Sequence, residues 1–171
     1  MATTYEAIAT VTVGSGGAAN IEFTSIPATF TDLLLSCSLR STNAATTASE
    51  YYGVSFNSST SNLTYRRLYG DGGSTGSDNG SIVLVGSLAA AGWTSNTFTS
   101  GSIYIPNYAS SNNKSFSTDN VSENNSSSVY ALDLTASLWS NTAAITSIKL
   151  LPRRDNFAQY STATLYGIKN S

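Results

Sequence analysis

The chain contains no histidine, a single cysteine and three prolines, and only 11% of its 171 residues are charged. Each shortage removes a class of chemistry. Without histidine there is no Ser-His-Asp triad, no Cys-His dyad and no imidazole metal site. A lone thiol makes neither an intrachain disulfide nor a thiolate metal cage. Eight Lys and Arg against ten Asp and Glu leave a net charge of -2. Basic residues adjoin only at Arg66-Arg67 and Arg153-Arg154, too few to track a phosphate backbone, so no nucleic-acid partner is expected. Long apolar runs are missing too. None approaches the roughly 18 residues of a membrane-spanning helix, and the opening Met1-Ala-Thr-Thr-Tyr-Glu has no basic region followed by an apolar one, so neither a membrane nor a signal peptide is expected.

What is present is aromatic and uncharged. Ten Tyr and six Phe accompany a hydrophobic content of 40%; disordered chains combine few aromatics with high net charge, so this composition is that of a folded chain. Its length suits one domain with its own core.

Apolar and polar residues alternate over many short runs. Tyr5 to Val13 and Asn20 to Ile26 read as strands joined by the glycine-rich turn Gly14–Gly17, a hairpin signal. Asp32 to Arg40 reads as a strand with Leu33, Leu35, Cys37 and Leu39 on one face. Tyr51 to Asn57 and Leu63 to Tyr69 form a second expected pair. Gly70 to Gly80 (GDGGSTGSDNG) has no apolar residue in its interior and reads as a loop. Further strands are expected at Ser81–Ser87, Thr97–Ile105, Lys114–Val121, Ser128–Leu134, Ile145–Leu151 and Gln159–Ile168; Leu88–Ala91 has helical propensity that Gly92 stops almost at once, and Ala136–Ala144 has room for a single helical turn. About ten strands, with turns at the roughly 8–12-residue spacing of sandwiches and barrels, predict an all-β fold: a single-domain antiparallel β-sandwich spanning residues 1–171.

Candidate sites are few. Cys37 shares the strand face of three leucines and reads as a small apolar filler rather than a nucleophile. Glu6 with Glu22, and Asp119 with Glu123, are the carboxylate pairs a glycan hydrolase would need, although such residues serve turns and solvated faces far more often. Asp71 and Asp78 flank the glycine-rich segment without the alternate ligand spacing of an EF-hand, and the segment lacks the Gly-Lys-Ser/Thr ending of a phosphate cradle. The aromatics carry the functional potential. Tyr51 and Tyr52 are adjacent in a strand and must face opposite sides. The outward-facing member of that pair, with Trp93 and Tyr108 as aromatic anchors and Arg66 and Arg67 at a polar rim, forms the candidate protein interface. No catalytic residue, metal ligand or cofactor is expected.

Four segments carry a resemblance. Ala18–Pro27 (AANIEFTSIP) running into Phe30–Leu35 (FTDLLL), Ile103–Tyr108 (IYIPNY) followed by Lys114-Ser-Phe116, Ser137–Ile145 (SLWSNTAAI) and the ending Ser161–Ile168 (STATLYGI) are similar, in that order, to segments of short structural proteins of tailed bacteriophages, including phages of marine bacteria and cyanobacteria. The resemblance spans nearly the whole chain. It implies a jelly-roll-like sandwich and a non-enzymatic virion component, made in the host cytoplasm, with no catalytic residue to carry over. The leading expectation is a homo-oligomeric capsid decoration, or cement, protein whose partner is the major capsid protein or another virion protein. The alternative is a tail-fibre or tail-tip module binding host-surface glycan.

Overall fold

In the computed structural model, residues 4–44, 46, 50–81, 84–125 and 131–169 are described. They form twelve strands: β1 (Tyr5–Thr12), β2 (Ile21–Phe23), β3 (Asp32–Leu39), β4 (Tyr51–Phe56), β5 (Leu63–Gly70), β6 (Thr75–Gly80), β7 (Leu84–Ser87), β8 (Thr99–Ile105), β9 (Lys114–Ser122), β10 (Ala131–Trp139), β11 (Ile148–Pro152) and β12 (Thr162–Ile168). No helix occurs among the described residues. Two antiparallel sheets result, an eight-stranded one in the order β1-β12-β3-β8-β9-β10-β5-β6 and a four-stranded one in the order β2-β11-β4-β7. The fold is an all-β sandwich, as the alternation predicts.

Period-two patterning builds the core. Leu33, Leu35, Cys37 and Leu39 of β3 all point inward, meeting Ile103 and Ile105 of β8 and Ala163 and Leu165 of β12 in one buried cluster. From the smaller sheet come Ile21, Phe23, Val54, Phe56, Ile148 and Leu150. At one end Phe56 meets Phe116 edge-on at 5.3 Å between ring centroids and leans on Trp139 at 5.4 Å, the geometries that ring quadrupoles favour. In β1 a bulge between Ala7 and Ala9 lets two residues oppose one. Ile8, out of phase with its strand in the sequence, thereby packs against the core together with Val11.

Several local expectations are corrected. β1 and β2 are not a hairpin, because β1 pairs with β12 in one sheet and β2 with β11 in the other. The turn between them is captured instead by the segment before β12: Ala18 and Phe157 exchange both backbone hydrogen bonds, and Val13 N donates to Ser161 O. β4 and β5 also lie in different sheets. Asn57, at φ 51°, donates its amide to Ala144 O and accepts from Thr146 N and Ser147 N, which anchors the crossing to the segment before β11. Turn chemistry is the same whether the chain reverses within a sheet or steps across to the opposite one.

Of Gly70–Gly80 only residues 71–74 are a loop: Gly70 ends β5, and Thr75–Gly80 is the edge strand β6. Directly opposite each other in register stand Tyr69 and Gly76, and Tyr65 and Gly80. An added Cβ on Gly76 would lie 2.5 Å from the Tyr69 ring, and one on Gly80 would lie 3.0 Å from Tyr65. The tyrosine rings thus cover glycines that offer no apolar surface of their own. Leu88, Ala89 and Ala90 form a buried crossing that ends at the exposed Ala91, and Ala136–Trp139 is the end of β10; neither is a helical turn. Ile82, Val83 and residues 128–130, expected in strands, lie outside the described residues.

Candidate functional site

Where β9, β10 and β5 face the smaller sheet, the inward side chains turn polar. Thr118 and Asn120 of β9, Asp133 and Thr135 of β10 and Arg67 of β5 are all buried. Asp133 organises them. One carboxylate oxygen accepts from Arg67 Nε at 2.7 Å, while the other accepts from Ser87 N at 2.7 Å and from Asn120 Nδ2 at 3.3 Å. Asn120 Nδ2 also donates to Ser87 O at 2.7 Å, and its Oδ1 accepts from the Tyr52 hydroxyl at 3.2 Å. This network ties β4 and β7 of one sheet to β5, β9 and β10 of the other. It leaves no room for larger neighbours, since a Cβ on Gly101 would sit 2.7 Å from both Asn120 Oδ1 and the Tyr52 hydroxyl.

Arg67 reaches from this network toward solvent. Its Nη1 donates to Asp78 of β6 at 3.1 Å, and its guanidinium lies 4.9 Å from the Tyr51 ring centroid and 4.6 Å from that of Tyr69. Burial works against its charge, but Asp133, reinforced by a hydrogen bond to Tyr51, outweighs it and raises the guanidinium's pKa. Tyr51, Tyr69, Asp71, Asp78 and Ser87 surround a small opening of about 190 Å³ beside it. Arg153 approaches the Tyr51 ring at 5.6 Å.

On the opposite side of the same strands, polarity is inverted. Along β10, Leu132, Leu134 and Leu138 point outward, and Leu68 of β5 and Val121 of β9 flank them at the matching register positions. Leu68 is 61% exposed, Leu134 57%, Leu132 53% and Val121 46%. They line a shallow groove of about 690 Å³ on the outer face of the large sheet. Four leucines and a valine form this exposed apolar patch, with Arg66 to one side, Asp119 beside Leu134, and Asp71 and Glu123 lining the adjoining opening at Val121 and Leu132.

The candidate interface residues are scattered. Tyr52 and Tyr108 are fully buried, Trp93 and Arg67 nearly so. Tyr52 belongs to the polar network, and the Tyr108 hydroxyl donates to Pro27 O. Trp93 packs with Ala89 and Ala90 in a satellite cluster on the loop that Arg40 holds through donations to Ala91 O, Thr94 O and Thr97 O. None of the three aromatic residues among them offers an outward anchor, because burying a large ring is worth more than presenting it, and the nearly buried Arg67 reaches solvent at the small opening. Tyr51 is half-buried at the opening, and Arg66 alone of the six is exposed, on the outer face, where its Nη1 donates to Tyr65 O.

The carboxylates are dispersed as well. Glu6 and Glu22 sit in different sheets, ion-paired at 3.3 Å with Lys169 and Lys149 respectively. Asp119 accepts from the Ser102 hydroxyl, and Asp71 caps its own turn through Gly73 N and Ser74 N. Among the described residues no three His, Cys, Asp or Glu side chains converge as metal ligands. Cys37 is buried, and burial pushes its thiol up to about 12. The chain matches no family model, no curated protein and no solved structure.

The leucine face had a signal in the sequence. Ala131–Trp139 (ALDLTASLW) puts Leu132, Leu134 and Leu138 on one side and Trp139 on the other. Three leucines on one face and a single tryptophan among Asp133, Thr135 and Ser137 on the other mean that a strand with water on one side must expose large apolar side chains whichever face turns inward.

Proposed function

We propose that this protein is a non-enzymatic structural protein that works by docking, and specifically a bacteriophage capsid decoration protein that sits as a homo-oligomer on the outer surface of the major capsid protein shell and stabilises it. The observation that carries the docking and homo-oligomer part of this reading is the exposed leucine face of β5, β9 and β10 on a sheet pinned from behind by the Asp133 network. A rigid apolar face suits association with another protein. The phage assignment rests on the resemblance of the four segments named above. Decoration would act by mass action: a protein that binds only the assembled shell stabilises it by about 2.7 kcal/mol per site when present at 100 times its dissociation constant.

The test is to add purified chain to shells that lack it. Saturable loading, with a rise in the temperature at which shells rupture, is the expected result, and the native particle should hold hundreds of copies, on the order of shell symmetry. Absence of loading at excess protein, or a few dozen copies confined to the tail, refutes it. The opening between Tyr51, Arg67 and Tyr69 favours the second reading, a tail module binding glycan by stacking, by hydrogen bonds donated from Arg67 and by glycan hydroxyls donating to Asp78. Specific binding on a glycan array, lost in Tyr69→Ala, would move the assignment there.

A further inference from the structure

The reading of the leucine face as a docking surface leaves its occupant open, and the inference here rests on that reading. We propose that a second copy of this chain covers the face, related by a two-fold axis that lies in the interface parallel to β10. Two features argue for self-association. The first is area. From the exposures of Leu68, Val121, Leu132, Leu134 and Leu138, the face presents about 450 Å² of apolar surface. That is roughly the apolar share of the ~800 Å² which each partner contributes to a standard stable interface. No large apolar surplus remains for an additional partner on this patch.

The second is charge. On the outer face, Arg66 of β5 is in register with Ala136 of β10, which is in register with Ser117 of β9. Asp119 lies two residues along β9 from Ser117, about 6.7 Å away at the rise of a strand. A two-fold axis along β10 exchanges the β5 and β9 sides of the ribbon. Arg66 of each copy then hangs over β9 of the other, with Asp119 inside the reach of its side chain. Leu132, Leu134 and Leu138 of the two copies meet along the centre, and on each flank Leu68 and Arg66 of one copy lie over Asp119 and Ser117 of the other, where the guanidinium reaches the carboxylate. The contact is isologous and self-limiting, so it ends at a dimer. Contact with the shell falls to surfaces outside this face.

Sedimentation equilibrium on the full chain tests this, with far- and near-UV circular dichroism to verify that each variant is folded. The wild type should be dimeric at about 100 µM, and Leu134→Glu should weaken the dimer on the order of 100-fold. Leu132→Lys provides an independent probe of the same face. Arg66→Glu and Asp119→Arg should each weaken association about tenfold, and combining them should restore it to within a few-fold of wild type. A wild-type monomer, an open-ended series of oligomers, or a dimer indifferent to Leu134→Glu overturns the proposal. A dimer that the paired reversal fails to restore overturns the parallel two-fold. A monomeric wild type that still loads shells would defeat self-association and leave shell binding standing, whereas a dimer that never loads would do the reverse.

Discussion

Replacing Asp133 by alanine strikes the point where both sheets are joined. The carboxylate is wholly buried and holds Arg67 at 2.7 Å, itself only 7% exposed. Removing one member of a buried ion pair costs about 3–5 kcal/mol, because the surviving charge is stranded. Asp78 still reaches Arg67 at 3.1 Å from a half-open position, and two tyrosine rings flank it, so the lower end of that range applies. Ser87 N then loses its acceptor, and an orphaned buried amide adds about 1–3 kcal/mol. The expected loss is about 4–6 kcal/mol, a large part of the roughly 5–15 kcal/mol available to a domain. Urea unfolding followed by tyrosine and tryptophan fluorescence measures it, with a fall in midpoint and an unchanged slope. At roughly 2–4 °C per kcal/mol for a chain of this size, the melting temperature should drop by about 10–20 °C. The double variant Arg67→Met with Asp133→Leu should cost less than the sum of the two single changes, since no charge is left stranded. A loss below about 1 kcal/mol for Asp133→Ala, or strict additivity in the double variant, refutes the network as the inter-sheet tie.

Gly101→Ala should cost about 1–3 kcal/mol by overpacking against Asn120 and Tyr52; the cost should shrink in a Tyr52→Phe background, and equal costs in both would show that the hydroxyl is not the obstacle. Burial raises the Glu50 carboxyl above its ordinary range, against the pull of Arg154 N at 3.2 Å and of the Arg154 and Arg153 charges. The folded state therefore holds that proton more tightly than the unfolded chain does, so Glu50's contribution to stability is complete below the ordinary carboxyl pKa and fades as pH rises through the raised one. Glu50→Gln should accordingly gain on the wild type between acid and neutral pH in paired melting curves, and a constant or shrinking gain contradicts this. With its thiol at about 12, Cys37 should resist a disulfide reagent at pH 8 in the folded chain and react once per chain in denaturant. Rapid labelling of the native protein would mean that β3 opens readily.

The fold class was legible because alternation is a local property. Leu33, Leu35, Cys37 and Leu39 declare a strand whatever surrounds them, and the core is built on that face. The thiol of Cys37 could be read as buried for the same reason. Strand partners were not legible, since the glycine-rich turn after β1 fits a hairpin as well as a crossing, and only capture by Ala18, Phe157 and Ser161 selects the latter. The edge strand β6 escaped notice because none of its residues is apolar. Its place in the sheet comes from backbone pairing with β5 and from tyrosines supplied by its neighbour. The six candidate interface residues were chosen for ring size and charge, properties that serve a core network equally well, and Tyr52, Trp93, Tyr108 and Arg67 are buried.

β10 separates the two kinds of information most cleanly. Its sequence fixes a period of two and therefore sorts Leu132, Leu134 and Leu138 from Asp133, Thr135, Ser137 and Trp139. Which set turns inward is a matter of phase, and a one-residue shift would reverse every side chain. The second sheet settles it, with Arg67 of the neighbouring strand β5: Phe56 takes Trp139, while Ser87 N and Arg67 take Asp133. Composition and alternation thus determined a sandwich of sparsely charged strands, and tertiary pairing decided that its leucines would face outward, because the inner place was already held by a carboxylate that three partners satisfy.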